Sequence, residues 1–172
     1  LKMTSPQNKR KELEHILSEE NFVKITGSIK MLRDESPFRG AIGLLVSFYN
    51  ESDNVSIKKL ITEFLNDLKD QSLCEEVIYE IRKRLKPETL RMLVSSCWQS
   101  GLNYSGYSSD FADLFLSGDY MTAIECFTVI ESSVENLTRP EKDSLITQIR
   151  EGSSVGIGEK TSLALELISV LE

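Results

Sequence analysis

The sequence predicts an all-α protein, a set of stacked antiparallel helical hairpins winding into an α-α superhelix. Three observations predict it. Apolar residues recur at spacings of three and four through successive windows long enough for helices. Nine glycines and four prolines in 172 residues leave few helix breakers. No segment alternates apolar and polar residues over the length a strand needs. The expected organisation is one helical-repeat domain over 1–172, divided into an N-terminal cap (1–35), three hairpins (36–70, 71–101 and 102–136) and a C-terminal cap (137–172).

The first four residues are expected to fray. Ser5-Pro6 combines a capping hydroxyl with a proline at the first helical position, where its missing N–H costs nothing. Leu13, Ile16 and Leu17 give a short apolar face. Phe22, Val23, Ile25, Ile29, Met31 and Leu32 predict one or two short helices interrupted near Gly27. This unit caps the open end of the stack, as terminal units in helical arrays must.

Ser36-Pro37 repeats the serine-proline opening. Phe38, Ala41, Ile42, Leu45, Phe48 and Tyr49 follow at helical spacing, with Leu44 and Val46 widening the stripe. The turn Asn50–Asn54 holds cap and turn formers and no apolar residue. Ile57, Leu60, Ile61, Phe64, Leu65 and Leu68 form the second face. So short a connection makes the two helices antiparallel.

The stretch Ile57–Leu68 resembles the second helix of a HEAT repeat, of the HEAT/armadillo-like helical-repeat superfamily. That family shows a small or branched apolar residue, one or two basic residues, an apolar block, and a leucine shortly before the helix ends. Ile57, Lys58 and Leu65 fall on those positions, and Asp53 stands in the turn where the family favours an acidic residue. Leu60, Ile61 and Phe64 stand where alanines are usual, so these helices are expected to splay wider. The resemblance covers about 35 residues. It implies a HEAT-like solenoid, and it implies no particular function, because such repeats host many unrelated roles.

Leu73, Val77, Ile78, Ile81 and Leu85 predict the next helix, ending in Arg82-Lys83-Arg84 and Lys86. Basic residues there favour the negative helix pole, and a basic cluster also suits an acidic ligand. Pro87 opens a helix with Leu90, Leu93, Val94 and Cys97 on its face, running into Trp98. Residues 98–127 hold seven of the thirteen aromatic side chains, around a glycine- and serine-rich loop at 100–109. Trp98, Tyr104, Tyr107, Asp110 and Tyr120 are therefore candidate binding residues, since Tyr and Trp offer large contact area at low entropic cost. The alternative is that these rings fill a gap the loop leaves between hairpins.

Asp110 is expected to cap a short helix with Phe111, Leu114 and Phe115, which Gly118 stops. Asp119 caps the next, with Ala123, Ile124, Phe127, Ile130 and Val134 facing inward. Thr138 and Glu141 have capping-box spacing around Pro140, opening a helix through Leu145, Ile146 and Ile149 that Gly152 ends. A last helix over 159–171 presents Leu163, Leu167, Ile168 and Leu171.

The net charge of −7 is uneven: residues 1–99 carry 16 basic and 15 acidic side chains, residues 100–172 carry 4 and 12. An acidic half without a basic stripe repels phosphate backbones, so nucleic acid is not an expected partner. No apolar run approaches the roughly eighteen residues of a membrane span. No leader pattern opens the chain, an observation of little weight where it begins at Leu1. Cys74, Cys97 and Cys126 lack metal-site spacing and lie among apolar residues, the pattern of buried thiols in a reducing, cytoplasmic setting.

Catalytic patterns are weak. Gly152–Thr161 resembles a phosphate-binding loop in its glycines, but Glu159 separates Gly158 from Lys160 where that motif needs glycine directly before lysine. His15 is the single histidine and stands among Glu12, Glu14 and Glu19, the setting of a solvated helix residue. Asp110 with Asp113 and Asp119 with Glu125 are acidic pairs of a kind that usually lines solvated faces. No cofactor or metal is expected. The sequence therefore favours a non-enzymatic interaction or scaffold module for a protein or peptide partner. The other reading is a helical-repeat enzyme of the DNA-glycosylase-like type, which would need a basic, aromatic-lined face.

Overall fold

Among the described residues ten α-helices follow one another: Pro6–Ser18 (α1), Phe22–Glu35 (α2), Ala41–Glu51 (α3), Val55–Asn66 (α4), Cys74–Ile81 (α5), Pro87–Gln99 (α6), Ser108–Ser117 (α7), Tyr120–Ser133 (α8), Arg139–Ser153 (α9) and Thr161–Leu171 (α10). The computed structural model describes residues 5–172, and the first four residues, expected to fray, lie outside them. No β-strand occurs among the described residues, so the protein is all-α.

Local chemistry sets many of the helix starts. Ser5, Asn21, Asn54 and Asp119 each accept a backbone N–H of the first helical turn that has no intrahelical partner. Thr138 and Glu141 close the expected capping box at the start of α9. Each helix packs on its successor within a pair: α1 on α2, α3 on α4, α5 on α6, α7 on α8, α9 on α10. Between pairs, the even-numbered helices α2, α4, α6, α8 and α10 form one unbroken row of neighbours. Among the odd-numbered helices, α1 meets α3, α3 meets α5, and α7 meets α9. The apolar residues these contacts bury form one core running from Leu13 to Leu171.

Several expected boundaries move. Ser36-Pro37 does not open α3. Ser36 ends α2 with φ +66°, and α3 begins behind Gly40, whose φ is +95°. Glycine takes that left-handed turn without a Cβ clash. The Gly40 N–H then donates to Glu76 Oε1 of α5 at 3.2 Å, a partner thirty-six residues away. Gly27 does not interrupt α2, because Ile25, Ile29 and Leu32 bury one continuous face across it. That burial outweighs the roughly 1 kcal/mol a mid-helix glycine costs. Helix α5 stops at Ile81, so Leu85 belongs to the following turn and is only partly buried.

Helix α7 starts at Ser108, after a single 3₁₀ turn at Ser105–Tyr107, which places Asp110 in its first turn and not at the cap. In α8 the buried face is Thr122, Ala123, Cys126, Val129, Ile130 and Ser133, while Ile124, Phe127 and, in the 3₁₀ turn that follows, Val134 are half-buried. The face is broader than expected because α6, α7 and α10 all pack against this helix. Helix α9 continues through Gly152 to Ser153. A Cβ on Gly152 would run into the Leu116 side chain of α7, so glycine here serves close packing and not termination. Helix α10 starts at Thr161, behind a 3₁₀ turn at Gly158–Lys160.

Candidate functional site

Helix α6 turns Thr89, Met92, Leu93, Val94, Ser96 and Cys97 inward, which leaves Glu88, Arg91, Ser95 and Trp98 on the outward side of the even-numbered row. Trp98 is 39% exposed, and its indole N–H donates to Glu125 Oε2 of α8 at 2.6 Å. An exposed indole is thus fixed by a charge-assisted bond across two helices. Met121, half-exposed at 50%, lies one turn before Glu125 on α8. Tyr120, the first residue of α8, is 37% exposed.

The same face continues to α4. Lys58 Nζ lies 3.1 Å from Glu88 Oε2 of α6 and 4.6 Å from the centre of the Tyr49 ring. That side chain is largely covered, so Lys58 acts as a strut between α3, α4 and α6.

The other candidate residues have different positions. Tyr104 is 2% exposed and stands edge-on to Phe111, centroids 6.0 Å apart. Burial pushes its hydroxyl far above the ordinary tyrosine range, and Cys97 and Cys74 lie close beside it. Tyr107 is half-buried and tilted against Tyr104 at 6.4 Å. These two rings fill the space between the 71–101 and 102–136 helix pairs, and Tyr104 offers no surface to a partner. Asp110 accepts from both Nε and Nη2 of Arg82, at 2.7 and 3.0 Å. Trp98 and Tyr120 therefore remain at the surface, and among the described residues no ring contact joins either to the tyrosine cluster.

The loop at 100–109 is ordered by a side chain thirty-two residues back. The Gln71 amide donates to the Asn103 carbonyl at 2.6 Å and accepts the Asn103 N–H at 2.8 Å, as an adjoining strand would. The basic turn after α5 works in the same structural way. Arg82 holds Asp110 of α7, Lys83 holds Glu80, and Lys86 lies 4.0 Å from Glu51 of α3.

Groups with catalytic potential are otherwise engaged. Lys160 is buried and donates to the carbonyls of Phe115, Leu116 and Gly118 at 3.0, 2.5 and 2.9 Å, which caps the C-terminus of α7. Its ammonium is turned inward, away from any phosphate the Gly152–Thr161 segment would hold. Burial raises all three thiols, Cys126 to about 12, which favours the protonated form over the nucleophilic thiolate. His15 is exposed beside Glu19. Asp113 accepts from the Gln148 amide at 2.6 Å, and Asp119 caps α8. No three His, Cys, Asp or Glu side chains converge as a metal-ligand set among the described residues. A shallow depression of about 630 Å³ lies between α7 and α9, lined by Asp113, Leu116, Thr147 and Gln148 among others, and it does not include Trp98.

Met121 and the Trp98–Glu125 bond escaped sequence reasoning. One signal was available: no Lys, Arg or His occurs from Met92 to Thr138, so the aromatic stretch sits in a wholly acidic segment. Among the described residues no helix is long and apolar enough to cross a membrane. No family model matches this chain, and neither a curated protein nor a solved structure does.

Proposed function

We propose that this chain is a HEAT-like stack of five helix pairs, corresponding to 1–35, 36–70, 71–101, 102–136 and 137–172, that serves as a non-enzymatic protein-interaction or scaffold module. Row-by-row helix contacts support the superhelical reading, since each pair packs on the next through like-numbered helices. The observation that carries the functional reading is Trp98: an exposed indole on the outward face of the even-numbered row, its N–H bonded to Glu125. Fixed aromatic groups make strong interface anchors because little side-chain entropy is lost on binding. Three free, buried thiols are consistent with a reducing, cytoplasmic setting. The acidic surroundings of Trp98 favour a protein or peptide over nucleic acid, and they weigh against the glycosylase-like reading.

Affinity capture with the chain, compared with its Trp98→Ala and Met121→Ala variants, tests this reading. The expected result is a protein partner retained by the wild type and lost from Trp98→Ala, with both variants keeping the wild-type helical signal. A partner held equally by all three forms places the interaction elsewhere.

A further inference from the structure

We propose that the outward face of α6 and α8 takes a cationic amphipathic segment of a partner protein, with an apolar residue seated on Trp98 and Met121 and Lys or Arg side chains along α8. The proposal rests on the reading of this face as protein-binding and adds the chemistry of the occupant.

Charge complementarity selects it. From Met92 to Thr138 the chain holds six carboxylates, Asp110, Asp113, Asp119, Glu125, Glu131 and Glu135, against no basic residue. The first three are engaged: Asp110 by Arg82, Asp113 by Gln148, and Asp119 by the α8 N-terminus. The last three take part in no ion pair among the described residues, and Glu131 and Glu135 are exposed. Glu125 accepts the Trp98 N–H through one oxygen.

Helical spacing places these groups on one strip. Met121, Glu125, Thr128, Glu131 and Glu135 follow at intervals of three and four along α8 and the 3₁₀ turn after it. One end of the strip is therefore apolar and the other anionic. Met adapts its shape to an incoming side chain, and Trp98 gives it a flat wall. Unpaired carboxylates beside that anchor attract a cationic segment and repel an anionic one. Arg91 is the one basic residue on this part of α6, it is only half-exposed, and, after the Thr122 hydrogen bonds, its charge lowers the Asp119 carboxyl.

Trp98 is the only tryptophan, so its emission reports on the site directly. The test titrates the full chain with a short tryptophan-free peptide of leucine and lysine at helical spacing. A leucine–glutamate peptide and an alanine–lysine peptide are the controls, and amide chemical shifts are followed alongside emission. The expected result is a saturable blue shift, with amide changes confined to α6 and α8. Affinity should fall about tenfold for the alanine–lysine peptide and for Trp98→Ala, the latter followed by amide shifts. The Glu131→Gln/Glu135→Gln variant should bind several-fold more weakly, with a flatter salt dependence.

Amide changes spread over other acidic surfaces, or equal binding of the alanine–lysine peptide, overturn the proposal. So does a Trp98 shift that appears on concentrating the chain alone, which would make a second copy the occupant. A leucine–glutamate peptide that binds at Trp98 in place of the cationic one sinks this inference and leaves the protein-binding face standing. Silence at Trp98 with every peptide, together with unchanged capture by Trp98→Ala, removes both.

Discussion

Lys160 donates to the carbonyl of Gly118 at 2.9 Å, forty-two residues away in sequence, and so fastens the turn before α10 to the end of α7. Two more carbonyls, of Phe115 and Leu116, complete its shell. Replacement by methionine keeps much of the aliphatic stem but leaves three helix-end carbonyls without their donor. Lys160→Met is expected to lower stability by about 2–4 kcal/mol. Urea denaturation checks this, and a loss under about 1 kcal/mol would mean that water replaces the ammonium.

Tyr104 separates its two contributions cleanly. Tyr104→Phe removes only the hydroxyl beside Cys74 and Cys97 and should cost about 1 kcal/mol. Tyr104→Ala empties the space against Phe111 and should cost about 3–5 kcal/mol. Trp98→Ala, at the surface, should fall well below that in the same thermal melts. A Tyr104→Ala protein as stable as wild type would show that the ring does not join the 71–101 and 102–136 pairs.

Thiol reactivity follows from burial. Cys74, Cys97 and Cys126 all have raised pKa values, with desolvation the largest cause. A folded pKa above the unfolded one gives stability that is complete below the unfolded value and lost as pH climbs through the folded one. Stability should therefore decline above about pH 8.5, the ordinary thiol value. Folded protein at neutral pH should react slowly with a disulfide reagent and release three equivalents once denatured. Rapid reaction of one thiol in the native state would contradict its burial.

Acid acts through the caps. Backbone and side-chain hydrogen bonds from Thr122 hold Asp119 below its ordinary range, and Thr138 does the same for Glu141. A depressed folded pKa gives stability that is present above the unfolded value and lost as pH falls through the folded one. Stability should thus drop below about pH 4. Asp119→Asn retains the cap acceptor without the titration and should flatten this acid limb, measured as urea midpoint against pH.

Features set within four residues were legible in the sequence. Pro6, Asn54, Asp119 and the Thr138–Glu141 box all act on their own helix, and periodicity located the helices between them. Features set by distant partners were not. Nothing near Ser36 announces that Glu76 will hold Gly40 and delay the start of α3. Trp98 and Tyr104 flank the same loop and look alike in one dimension. Gln71 clasps the exposed backbone of Asn103 while Tyr104 next to it packs under the loop against Phe111, and Trp98 stays at the surface bonded to Glu125. The place of Lys58 early on its helix was visible, but its role as a strut depends on Glu88, thirty residues on.

No side-chain hydrogen bond among the described residues reaches farther along the chain than the forty-five positions between Lys160 and Phe115. Substantial helix contacts join elements at most three places apart in helix order. During synthesis each pair can therefore close soon after it leaves the ribosome, without waiting for the tail of the polypeptide. Loss of a terminal pair should then shorten the protein without scrambling what is left.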